Sequence, residues 1–262
     1  MSSSNETITK TLTVVISLCL VCAVIVSSAA VMLKPAQKIN KAADMQRNIL
    51  LAAGLLSEGE NAAAKFKEVV DVKLLDLNTG KFATDRKAAD FDYRAAPRDK
   101  EISIALDAKD DIVKIKRRSN IAPVYLAKDN GKLSSVILPV YGAGLWGPMY
   151  GFIAIDPDAT TVKGIKFYEH KETPGLGAEI ENPKWVASWV GKKLFNDKGE
   201  IAITVQKGGV TANDPQKMYK VDGLSGATLT SNGVQFIFTF WLGEQGFGPF
   251  LQSVRNGELT HG

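Results

Sequence analysis

The chain has 262 residues, 45% of them hydrophobic and 23% charged, which is globular rather than disordered composition and enough for one or two domains with a sizeable core. A formal net charge of +4 gives no concentrated basic face for nucleic acid, and the best basic run, Lys114-Ile-Lys116-Arg117-Arg118, reads as a solvated surface strand or loop. Two histidines, His170 and His261, argue against a histidine metal cluster.

In chain order the first signal is TLTVVISLCLVCAVIVSSAAVML, residues 11–33, an uncharged stretch between Lys10 and Lys34. At about 1.5 Å of rise per residue it spans a hydrocarbon core of about 30 Å. A cleaved leader has a shorter apolar core of about 7–15 residues, although Ser28-Ala29-Ala30 loosely resembles a cleavage site. The reading is a single membrane anchor followed by a large part in water. Lys10 precedes the span, and Lys34, Lys38, Lys41 and Arg47 follow it. By charge bias alone the large part would be cytoplasmic. Cys19 and Cys22 lie inside the span as C-x-x-C. They read as small apolar residues facing lipid or a neighbouring helix rather than as a metal or redox pair. No cysteine follows, so the aqueous part needs no disulfide.

Residues 34–56 read as a continuing or second helix, broken by Ser57-Glu-Gly-Glu60, and residues 61–72 as another. The period then shifts towards strands. Residues 124–127 and 132–141 flank Asn130-Gly131, a hairpin signal. Residues 149–155 and 162–169 flank Asp156-Pro-Asp-Ala159, a second hairpin. The apolar spacing of Trp185, Val186, Trp189, Val190, Leu194 and Phe195 predicts an amphipathic helix over 185–195. Residues 201–205 read as a short strand, and VQFIFTFWL, residues 234–242, as a buried helix. Strands arriving as hairpins with helices at both ends predict an α+β fold with a largely antiparallel sheet and flanking helices.

Gly142-Ala-Gly144-Leu-Trp-Gly147 matches G-x-G-x-x-G after a strand. Pro148 and a second strand follow where a dinucleotide fold needs a helix. It reads as a glycine-rich bend that lets a group approach the backbone, with Trp146 as a flat wall. Gly223-Leu-Ser225-Gly-Ala227 falls one glycine short of a hydrolase elbow, and Glu244 or Glu258 with His261 would have to complete a triad. In Glu169-His-Lys-Glu172-Thr173-Pro-Gly175-Leu176-Gly177, a Pro-Gly turn and a binding loop are equally good readings. In the second, Leu176 lies against a flat ligand while Thr173 and Glu172 bond its polar edge.

DGLSGATLTSNG, residues 222–233, crowds four hydroxyls around small residues. Gly226 and Ala227 keep the backbone bare beside Thr228, and Thr230 or Ser231 can cap the helix beyond. A helix N-terminus there favours a phosphate on or beside Thr228. Asp222-Gly-Leu-Ser225-Gly226-Ala227-Thr228 resembles the motif of proteins that carry FMN on a threonine through a phosphoester bond. The Glu-Thr-Pro-Gly-Leu-Gly loop is similar to one typical of that FMN-binding domain. The whole chain, span included, resembles the NqrC family, the C-type subunits of the Na⁺-translocating NADH:quinone oxidoreductase. The G-type subunit of the Rnf ferredoxin–NAD oxidoreductase is that family's nearest relative.

The resemblance implies covalent FMN at Thr228, installed from FAD by a Mg-dependent flavin transferase that reads Asp222. It implies that Ser225, Gly226, Ala227, Leu229 and Thr230 hold the phosphate, and that Leu145, Trp146, Glu172, Thr173, Gly175, Leu176 and Gly177 border the ring. It implies an electron relay with the other complex subunits as partners. It further implies a short cytoplasmic tail (1–10), a span (11–33) in a bacterial inner membrane, and a periplasmic domain (34–262) with its flavin-binding core at about 122–245. A membrane-anchored serine hydrolase and a cofactor-free adaptor are the other readings.

Overall fold

The computed structural model describes residues 7–258 and comprises two units, Met1–Met45 and Gln46–Gly262. The first is helical. Helix α1, Ile8–Ala52, holds the uncharged stretch, is long and apolar enough to cross a membrane, and continues through Pro35 without a second helix beginning. Its side chains are solvent-exposed until the last turns, which belong to the second unit.

In the second unit α2, Ala62–Val69, starts at Asn61, whose side chain accepts from the Ala64 amide at 3.1 Å. The helix stops sooner than its sequence predicts, because at Val70 the chain enters β1, Val70–Asp76, and pairs along its whole length with β5. The β-branched Val70 and Val72 favour that extended pairing over another helical turn. Strand β2 is Lys81–Ala83, β3 is Ser103–Ala105 and β4 is Arg117–Ser119, the last two forming their own small sheet. Then come β5, Ile121–Asp129, β6, Lys132–Ala143, β7, Pro148–Ile155, and β8, Val162–Glu169. Asn130 and Gly131 between β5 and β6 both have positive φ, 49° and 78°, as a tight hairpin requires. The main sheet has the order β2-β1-β5-β6-β7-β8 and is antiparallel throughout.

After β8 come α3, Pro183–Ala187, the parallel pair β9, Thr204–Gln206, and β10, Lys220–Asp222, then α4, Thr228–Trp241, and α5, Gly248–Arg255. The amphipathic pattern over 185–195 yields only the five-residue α3. Gly191, at φ +78°, donates to Val162 O, and the Val162 amide donates to Lys192 O, both at 2.8 Å. The segment docks on the start of β8 instead of winding on. Trp189, Leu194 and Phe195 are buried all the same, so the apolar spacing marked burial and not helix.

The sheet is covered on both faces. Val124, Val136, Leu138, Met149, Ile153, Ile165 and Phe167 share a core with Val234, Ile237, Phe238 and Trp241 of α4 and Leu251 of α5. On the other face Tyr125, Phe152 and Tyr168 form an aromatic row, met edge-on by Phe66 of α2. The end of α1 is buried at Ile49, Leu50 and Ala52, and its Ala52 carbonyl presses on Gly164 of β8. Charged side chains also lie inside. Arg118, expected in solvent, is buried and donates to Gln245 O at 2.9 Å and to Asn78 Oδ1 at 2.5 Å. It ties the β1–β2 turn to the loop between α4 and α5.

Candidate functional site

The site begins where β10 hands over to α4. The Gly223 amide donates to Gln206 O at 2.7 Å and Trp185 Nε1 to Asp222 O at 2.8 Å, which fixes the end of the strand. A tight turn follows, with Ala227 N donating to Leu224 O at 3.2 Å and Gly226 at φ +71°. A side chain at Gly226 would be strained by that φ and would lie 3.1 Å from Leu176 Cδ2, so glycine alone suits this position.

Helix α4 begins earlier than its sequence predicts. Its N-cap is Ala227, which offers no side-chain acceptor, and neither Thr230 nor Ser231 caps it. Both lie buried inside the first turn. Ser231 Oγ accepts from the Leu224 amide at 2.9 Å and donates to Ala227 O at 3.1 Å, bracing the turn from within. Thr228 is the first helical residue and is exposed. The amides of the first helical residues, from Thr228 on, have no carbonyl one turn back within the helix, and no side chain caps them.

Two loops meet this helix start. The bend between β6 and β7 packs against α4 so closely that a Cβ on Gly233 would lie 2.7 Å from Ala143 O. The turn after β8 closes through Leu176 N and Ala178 N, both donating to Thr173 O at 3.1 Å, with Gly175 at φ +73°. Thr173 is exposed and Gly177 buried. Glu172 is buried, and both its oxygens are engaged inside the protein. Its amide donates to His170 Nδ1 at 3.1 Å, and His170 Nε2 lies 3.2 Å from Glu181 Oε1.

Around these loops four large apolar side chains stand open to solvent: Leu145 at 47%, Trp146 at 65%, Leu176 at 44% and Leu229 at 60%. Apolar surface in that amount beside an uncapped helix start makes this a candidate binding face. Asp222 is exposed at the edge of this region, its Oδ1 accepting from the Val210 amide at 2.5 Å. Among the described residues the hydrolase reading finds no triad. Glu244 follows the far end of α4, about 20 Å of helix from Ser225, and His261 lies outside the described residues.

Sequence reasoning missed the brace at Ser231 and the engagement of His170 and Glu172. A single G-x-G spacing at 142–144 hinted at a close approach, and the structure shows what approaches: Ile237 at Gly142 and Glu172 at Gly144.

Comparison with known proteins bears on the same region. Residues 144–243 match the FMN-binding domain family, a span that holds both loops and all of α4. The C-type subunit of the Na⁺-translocating NADH-quinone reductase of Yersinia pestis is 53% identical over 263 residues, covering 99% of this chain and 97% of that protein. The chain belongs to the NqrC family of Na⁺-translocating NADH-quinone reductase subunits. Its counterpart from Vibrio alginolyticus is 51% identical across 99% of this chain and 100% of its own length. In three dimensions the crystal structure of Shewanella oneidensis NqrC superposes with a TM-score of 0.75 at 42% identity, over 81% of this chain and 97% of that one. The antiparallel α+β architecture is thus that of the family.

Proposed function

We propose that this chain is an electron-carrying subunit of a Na⁺-translocating NADH:quinone oxidoreductase, and that it holds FMN through a phosphoester on Thr228 Oγ1. One observation carries the reading: the only exposed threonine of the 222–233 segment stands at the uncapped start of α4, beside Leu145, Trp146, Leu176 and Leu229. The residues present suit the cofactor. The first-turn amides and the positive end of the helix dipole favour a phosphate, and Gly226 leaves room beside it. Leu145, Trp146 and Leu176 frame a flat ring, and the exposed Thr173 supplies a polar group at its edge.

Bound FMN would supply the redox chemistry, accepting and giving up electrons one or two at a time. The chain's own work is to tether the phosphate, shield part of the ring and leave the remainder open to neighbouring carriers. Attachment through the phosphate leaves the ring itself unmodified. The chain alone moves no Na⁺: a single span without an intramembrane charge offers no ion path.

In this reading residues 1–10 form a cytoplasmic tail, 11–33 span the inner membrane once, and 34–262 form a periplasmic FMN-binding domain. The lysines after the span oppose that orientation only weakly, because long domains translocate regardless of such charges. Partners are the other subunits of the complex and, during maturation, a flavin transferase that reads Asp222 and the residues up to Thr228. The G-type subunit of an Rnf complex would share this chemistry, but the full-length likeness to the NqrC family favours the sodium-pumping complex.

The test is in-gel flavin fluorescence after denaturing electrophoresis of the wild type and Thr228→Val, each co-expressed with an active flavin transferase. A fluorescent wild-type band that vanishes in the variant is expected. A dark wild-type band, with the transferase proven on a control substrate, overturns the covalent reading.

A further inference from the structure

Three segments far apart in sequence meet at one carboxylate. Glu172 Oε1 accepts from the Trp146 amide at 3.0 Å, and Oε2 accepts from the Thr230 hydroxyl at 2.5 Å. The fit is close on every side. A Cβ on Gly144 would lie 2.5 Å from Oε1, and one on Gly177 would lie 2.7 Å from Oε2 and 2.5 Å from Thr230 Oγ1. Two glycines therefore leave bare the space that this carboxylate and its threonine partner fill. Neither glycine has positive φ, so backbone freedom does not explain them, and the carboxylate does. The backbone of Glu172 is fixed in turn by its amide bond to His170 Nδ1, which Glu181 orients from the other ring nitrogen.

Trp146 contrasts with this anchor. Its side chain is 65% exposed, so little packing holds the ring in place. The bend that carries it is closed by Gly144 N donating to Gly147 O at 2.7 Å and is fastened to the rest of the protein through the Trp146 amide. We propose that Glu172 is a positioning residue: it locks the Trp146 bend and the Thr173–Gly177 turn onto the first turn of α4, so that both walls of the flavin slot are set before the cofactor arrives. The proposal rests on the reading that the slot takes FMN. It gives Glu172 no contact with the ring and gives Thr230 a role distinct from that of Thr228, two residues earlier. Preorganised walls lower the ordering cost of binding, which is greatest for an exposed loop.

The experiment uses the full-length chain in detergent, as wild type, Glu172→Ala, Glu172→Gln and Thr230→Val. Two readouts separate positioning from general stability. The first is hydrogen exchange of the Trp146 amide in flavin-free protein. The second is flavin emission after loading at Thr228, because a tryptophan held against a flavin quenches it by electron transfer. Glu172→Ala is expected to speed exchange at Trp146 by about tenfold or more, the worth of one charge-assisted hydrogen bond, and to raise flavin emission while Thr228 still loads. Glu172→Gln keeps an oxygen for the Trp146 amide and offers its NH₂ to the Thr230 oxygen, so it should restore both readouts. Unchanged exchange and emission in Glu172→Ala overturn the proposal. If Glu172→Ala does not fold, Thr230→Val decides, since it removes only the helix end of the lock: raised emission supports the proposal and wild-type emission refutes it. If no protein loads flavin, the FMN reading fails, and exchange at Trp146 still tests the lock by itself.

Discussion

Gly164 of β8 faces the end of α1, and one added methyl group tests how that helix end is seated. An alanine Cβ there would lie 2.3 Å from the Ala52 carbonyl oxygen, whereas ordinary contact begins at 3.4 Å. The clash is with backbone, so no rotamer change relieves it. Either the last turn of α1 lifts by about 1 Å or β8 bows inward, and close-packed interiors resist both. The helix end has little slack, because Ile49, Leu50, Ala52 and Ala53 are all buried. Overpacking of this kind costs about 1–3 kcal/mol. In a unit of more than 200 residues that corresponds to a fall in Tm of about 2–12 °C. Thermal unfolding of the full-length chain in detergent, followed by intrinsic fluorescence, reads this directly. If Thr228 carries the flavin as proposed, its attachment should persist, because Gly164 lies on the opposite side of the sheet from α4. A melting temperature within about 1 °C of wild type would refute the seating of α1 on β8.

Three further outcomes are expected. Burial pushes Tyr125 and Tyr141 far above the ordinary tyrosine range and Tyr168 up to about 12. Folded pKa values raised above the unfolded value of about 10 mean stability that is intact below pH 10 and lost as pH climbs from there towards 12. Melting curves between pH 8 and about 11.5, read with tyrosinate absorbance, should show tyrosine ionisation coinciding with unfolding. Arg118→Ala strips the partner from Gln245 O and Asn78 Oδ1 and leaves a cavity, for a loss of about 2–4 kcal/mol in denaturant titration, with Arg118→Met losing less. Asp222→Asn keeps an oxygen to accept the Val210 amide and so should melt close to wild type. Its band intensity in the in-gel flavin assay should nevertheless fall if the transferase reads the negative charge.

What the sequence made legible was local. The β5–β6 hairpin follows from two adjacent residues that tolerate positive φ, and the burial of α4 from a run that is apolar nearly all round. Where the pattern reports burial without conformation, the reading slipped. The tryptophans of 185–195 are inside, but the chain there pairs with the start of β8 after a single turn of helix. Arg118 sits in a basic run indistinguishable from a solvated one, because its partners lie 40 and 127 residues away. Thr228 stands out in the sequence as a candidate because its motif is contiguous. The lock at Glu172 could not, since it joins residues separated by 26 and 58 positions, and the glycines that admit it read equally well as turn residues.

The four hydroxyls of the 222–233 segment are sorted by the fold, and the sorting bears on which of them can carry a phosphoester. Ser231 is committed to bracing the 224–227 turn, and Thr230 to the Glu172 carboxylate, both beneath the surface. Ser225 and Thr228 remain exposed. Ser225 precedes Gly226, on the far side of a left-handed residue from the helix. Thr228 occupies the first helical position, where the unpaired amides and the helix dipole favour negative charge. A helix usually gains about 1 kcal/mol from a Ser, Thr, Asp or Asn cap. Here Ala227 stands in that place, and the helix is held instead by the burial of Val234, Ile237, Phe238 and Trp241. Because packing secures α4, its N-terminus needs no side-chain cap, which suits the proposed phosphoester. That arrangement favours Thr228 over its three neighbours as the acceptor without any appeal to motif.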